Sequence, residues 1–89
     1  MSYIPQPGDT GVTGTVTSVG VAGGVQYGGI VYADQIQGEE YSQYSGPSNE
    51  PNPLRFPFSG DYGVVCGQRV TFSVFQAPFA PAATDLQPL

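Results

Sequence analysis

Alternation of apolar and polar positions organises most of this chain. It is clearest in Gln68-Arg69-Val70-Thr71-Phe72-Ser73-Val74-Phe75, where Val70, Phe72 and Val74 share one face and Arg69, Thr71 and Ser73 the exposed one, the two-residue period of a half-buried strand. Leu54-Arg55-Phe56-Pro57-Phe58 repeats the pattern with Leu54, Phe56 and Phe58 on one face. Pro57 cannot donate to a ladder, which marks an edge strand or a bulge. From Val12, the run Val-Thr-Gly-Thr-Val-Thr-Ser-Val sets Val12, Gly14 and Val16 against Thr13, Thr15 and Thr17, and its β-branched residues suit a first strand. Gly20, Gly23 and Gly24 supply a turn into a second strand, Val25 to Asp34, with Gly28, Ile30 and Tyr32 on one face and Tyr27, Gly29 and Val31 on the other. After a turn over Gln76 to Pro81, the segment Ala82 to Leu86 gives a short fifth strand.

The intervening stretches carry different signals. Residues 1–10 contain Pro5, Pro7, Gly8 and Asp9 without a periodic apolar pattern and read as a lead-in arm. Between strands two and three, residues 37–53 form a long acidic loop rich in Pro, Ser and Tyr; from Glu39 to Pro53 it has no Val, Ile, Leu, Met or Phe. A connection of that length inside a compact domain is either functional or disordered, and it carries Tyr41 and Tyr44. Ser59 to Gly67 is a further connection.

Composition reinforces the all-β reading. Thirteen Gly, nine Pro and only 10% charged residues disfavour helices, while 39% hydrophobic residues is too many for wholesale disorder. The 89 residues suffice for a single domain spanning 1–89, with a small core. No apolar run reaches the length of a membrane span, and Met1 to Gly8 lacks the basic and apolar parts of a signal peptide. A cytoplasmic location without membrane contact is therefore expected, in keeping with a lone Cys66 that has no internal partner for a disulfide.

Charge narrows the function. Two Arg, no Lys and no His against seven acids leave a net charge of −5, whereas nucleic-acid binding draws much of its affinity from neutralising phosphates. Catalysis is disfavoured as well: without His or Lys, and with one Cys, the usual bases, Schiff-base formers and soft metal ligands are missing. Asp34, Glu39 and Glu40 could begin a hard-cation site, but they lack calcium-loop spacing. Gly20, Gly23 and Gly24 are not followed by the Lys or helix of a phosphate-binding loop. The chain reads as non-catalytic, with no cofactor and no metal.

A family resemblance rests mainly on the C-terminal residues. Gly67-Gln68-Arg69-Val70-Thr71-Phe72-Ser73-Val74, followed by Ala80-Pro81-Ala82-Ala83-Thr84-Asp85-Leu86, resembles the last two strands of bacterial cold-shock proteins. Leu54 to Ser59 is similar to the family's third strand, Tyr27-Gly28-Gly29-Ile30 to the Phe-Gly-Phe-Ile motif of its second, and Gly14-Thr15-Val16-Thr17 to its opening Gly-x-Val-Lys. The resemblance implies a small, five-stranded antiparallel barrel of the OB type, with Gly28, Ile30, Leu54, Phe56, Phe58, Val70, Phe72 and Val74 inward. It also implies an outer face on which aromatic rings stack bases. This chain departs from that face: Gly29 and Arg55 stand in place of Phe, Pro57 in place of His, Thr17 in place of Lys, and Ser18 and Val19 in place of further aromatics.

Two functions follow. One is a divergent module for single-stranded DNA or RNA, with Tyr27 and Arg55 stacking on bases from the same outer face and acting with Tyr32, Phe75 or the loop tyrosines. The other is a structural or protein-interaction module, for example a viral or assembly component, which keeps the barrel and uses its polar, Gly- and Tyr-rich surface to bind a protein partner or to self-associate.

Overall fold

The computed structural model describes residues 5–34 and 54–89. Five strands, β1 (Val12–Ala22), β2 (Val25–Ala33), β3 (Arg55–Ser59), β4 (Arg69–Gln76) and β5 (Pro81–Pro88), form one antiparallel sheet in the order β3-β2-β1-β4-β5. The described residues contain no helix, as the Gly and Pro content anticipates. The arm docks where β1 begins: Gly8 N–H donates to Val74 O at 2.8 Å and Val74 N–H to Asp9 O at 2.9 Å.

The sheet curls so that β3 comes up against β5, but the hydrogen-bonded order ends at both of these strands, so it is not closed into a barrel. Pro57 supplies part of the reason. Ala33 N–H bonds Leu54 O and Gly60 N–H bonds Tyr27 O, which fixes the phase of the β2–β3 ladder and turns the backbone of Arg55, Pro57 and Ser59 toward the free edge. The missing donor of Pro57 therefore falls where a closing strand would need it.

The core lies inside the curl. Val16, Val31, Ala33, Leu54, Phe56, Phe58, Val64, Val70, Phe72, Val74, Ala83 and Leu86 are all buried there, including every inward position expected on β3 and β4. The Phe56 and Phe72 rings meet from opposite sides with centroids 5.8 Å apart. Fully burying a side chain of this kind contributes about 1.5–3 kcal/mol.

On β2 the inward face differs from the expected one. Gly29 pairs with Phe58 and Val31 with Phe56, while Ile30 faces Pro57 and Tyr32 faces Arg55. Directly opposed residues share a face, so Gly29, Val31 and Ala33 point into the core and Ile30 and Tyr32 take the outward phase, Tyr32 remaining partly buried and packed against the core cluster. Gly28 is buried as expected, but it lies against the backbone, where a Cβ would strike Phe58 O. Apolar residues stand on both phases of Val25–Ala33, so alternation cannot choose between them; the pairing with Phe56 and Phe58 does, and a one-residue slip inverts the result.

Two bulges complete the β1–β2 hairpin. The register shifts between Val16 and Ser18, leaving Thr17 unopposed, and again between Gly20 and Val21, leaving Tyr27 unopposed. The first bulge turns Val19 onto the core face, where it packs. Gly23 and Gly24, with φ of 59° and 79°, occupy the two left-handed positions of a tight hairpin turn. A third irregularity, between Thr71 and Ser73, bends β5 at Asp85, whose φ is 55°. Tyr62 Oη holds that bend by accepting from Asp85 N–H at 3.2 Å.

Gly29 has no room for a side chain, because an added Cβ would overlap Ser18 O and approach the Phe58 ring at 2.7 Å. Gly29→Ala is expected to destabilise the domain by about 1–3 kcal/mol, read as a lower urea midpoint; an unchanged midpoint would contradict this packing.

Candidate functional site

The most tightly built polar cluster is an ion pair on the outer face. Asp34, at the end of β2, receives both guanidinium arms of Arg69 from β4, Nη1 to Oδ1 at 2.8 Å and Nη2 to Oδ2 at 2.9 Å. Thr13 Oγ1 donates to Oδ2 at 2.8 Å, and Arg69 Nη1 also donates to Thr15 Oγ1 at 3.0 Å. The Asp34 side chain is 1% exposed and that of Arg69 30%. Three strands are tied through one carboxylate. Arg69 is thus half-buried and occupied, not the exposed residue that alternation suggested, because the register places it beside Thr15 and within reach of Asp34.

This cluster also bears on metal binding. Asp34, the expected start of a cation site, is saturated by a guanidinium and a hydroxyl, and no group of three or more His, Cys, Asp or Glu side chains able to hold a metal occurs among the described residues. Glu39 and Glu40 lie outside the described residues, as does the whole of the 37–53 loop.

The four residues expected to bind nucleic acid are not gathered in one place. Tyr32 and Arg55 are direct partners across β2 and β3, with Arg55 exposed and Tyr32 half-buried. Tyr27 is 64% exposed on the same outer face, packed over Gly20. It sits five residues before Tyr32, about 16 Å along the strand. Its bulged position in the hairpin carries it beyond the end of β3, out of stacking range of Arg55. Phe75 is 44% exposed and opposes Ala82 on β5. Since Phe72 pairs with Val12 at the start of β1, Phe75 lies further out still, away from Tyr32. Gly29, aligned with a stacking aromatic in the cold-shock motif, faces the core.

Other exposed apolar residues are scattered: Phe79 in the β4–β5 turn is 100% exposed, Leu89 and Val65 are exposed as well, and Val21 and Val25, at the tip of the β1–β2 hairpin, are 58% and 57% exposed. The hairpin had a signal in the sequence: no charged residue occurs between Asp9 and Asp34. The β3–β4 connection braces the hairpin at two levels, near the tip through Gln26, the partner of Val21, and at the base through Val16. Gln26 Nε2 donates to Val64 O at 2.8 Å, Tyr62 N–H donates to Gln26 Oε1 at 3.1 Å, and Gly67 N–H donates to Val16 O at 2.7 Å. Cys66 is exposed and free, its Sγ 3.6 Å from Thr17 O.

No family model, curated protein or solved structure matches this chain. No helix among the described residues is long and apolar enough to cross a membrane.

Removing the guanidinium strands a buried carboxylate. Arg69→Met is expected to cost about 3 kcal/mol, a large share of the stability of a domain this size, whereas Arg55→Met, on the exposed edge strand, should change the urea midpoint little. Equal effects from the two variants would refute the structural role of the Asp34–Arg69 pair.

Proposed function

We propose that this chain is a small non-catalytic interaction module that binds protein rather than nucleic acid, built on a partly open, OB-type five-stranded scaffold. The scaffold reading is supported by the antiparallel strand order and by the approach of β3 to β5. A cytoplasmic setting fits an exposed, unpaired thiol.

The observation that carries the functional reading is the distribution of charge and apolar surface. The chain has two cations; Arg69 is neutralised by Asp34, which leaves Arg55 to attract phosphates. One phosphate contact gives little affinity at physiological salt. The hairpin, by contrast, combines exposed Val21, Val25 and Tyr27 with an absence of charge, a surface suited to a protein partner.

One feature favours a second reading. Tyr32 and Arg55, adjacent across β2 and β3, could flank a single base, the ring and the guanidinium each stacking on it. That arrangement supports weak, salt-sensitive binding of single-stranded DNA or RNA.

Titration of labelled T-rich and U-rich oligonucleotides in low salt separates the two. The protein-binding reading expects no anisotropy change up to about 100 µM protein. Binding that falls steeply with salt and is lost in Arg55→Ala would overturn it in favour of the second.

A further inference from the structure

The β1–β2 hairpin outruns the rest of the sheet. On the side away from β2, β1 is paired with β4 only through Thr15, after which Val16 bonds the β3–β4 connection at Gln68 O and Gly67 N–H, and Thr17 O meets Cys66 Sγ. Beyond that point, residues 18–22 have no strand beside them among the described residues. Their outward-facing backbone groups form an open sheet edge.

Such edges are normally blunted by Lys, Pro, inward charges or short length, because an unpaired row of N–H and C=O groups templates the addition of another strand. This edge is short, but residues 18–22 are Ser-Val-Gly-Val-Ala, without Lys, Pro or a charge. Of the hairpin's two bulges, the one at Thr17 lies on β1 just before this edge, and the one at Tyr27 lies on β2, so residues 18–22 themselves carry no bulge.

We infer that this edge is a homodimerisation surface, on which residues 18–22 pair antiparallel with the same residues of a second copy about a twofold axis; this rests on the protein-binding reading above. Charge selects the occupant. A chain of net charge −5 repels its own copies over most of its surface, and the stretch between Asp9 and Asp34 is where two copies meet without opposing like charges. An acidic or basic partner would find no complementary charge there. An antiparallel pairing of one strand with itself is also isologous, so the same donors and acceptors are satisfied in both copies and the assembly closes at two. Val21, exposed in the monomer, then gains cross-strand apolar contacts. A five-residue ladder is smaller than a standard protein interface, so the dimer is weak and reversible.

Sedimentation equilibrium of the full chain from about 10 µM to 1 mM tests this. The expected result is a monomer–dimer equilibrium that Val21→Lys weakens at least tenfold with an unchanged circular dichroism spectrum, and that Phe79→Lys, at the exposed β4–β5 turn, leaves intact. Amide exchange of residues 18–22 should slow as protein concentration rises. A monomer at every concentration would overturn the inference, as would a dimer lost in Phe79→Lys and kept in Val21→Lys. Neither result touches the oligonucleotide titration, which decides the protein-binding reading separately.

Discussion

Phe56, Phe58 and Phe72 fill an interior that exists because the strands facing them present glycine. Gly29 lies under the Phe58 ring, and Gly14 sits where a Cβ would come within 3.1 Å of the Phe72 ring and collide with Tyr32 O. Aromatic bulk on one side of a curled sheet must be matched by small residues on the other, since interiors pack at crystal density and tolerate neither overlap nor void. That complementarity sets the phase of β2 and with it which residues reach the outer face. The bulges at Thr17 and Tyr27 then follow as the adjustments that let a long hairpin keep Val19 on the core and still run past the edge of the sheet.

The outer face is governed by one ion pair. Arg69 could have contributed positive potential to a binding surface, but its bidentate bond to Asp34 spends both guanidinium arms on joining β2 to β4 across β1. An acidic chain with two arginines has little charge to divide between stability and recognition, and here half of it is taken by the fold. The exposed surface of the hairpin is accordingly apolar and backbone in character. A scaffold does not bring a function with it; that depends on which side chains and charges are left at its surface.

Much of the fold was legible in the residues. Strict alternation in Leu54–Phe58 and Gln68–Phe75 identified β3 and β4 and every inward residue on them, because each has one apolar phase and one polar phase. Gly23-Gly24 marked the hairpin turn for a steric reason: both positions need positive φ. The three-residue step from Val16 to Val19 was the trace of the first bulge, visible in the sequence but not distinguishable from a strand end, and β1 was accordingly expected to stop short of Ala22. Tyr27 and Arg55 were expected to lie together because they match motifs on adjacent strands. The register pairs Arg55 with Tyr32 instead, and no local pattern encodes that pairing.

By itself, then, the sequence determined an all-β chain with a tight turn at Gly23-Gly24, an apolar face on its alternating strands and little positive charge, since these depend on local sterics, period and composition. The tertiary structure alone decided which face of β2 is inward, that the sheet stays unclosed between β3 and β5, that Arg69 is consumed by Asp34 and that, among the described residues, the far end of β1 has no strand beside it opposite β2. Each of these is a relation between segments distant in the chain, fixed by pairing and packing energies that no single segment contains.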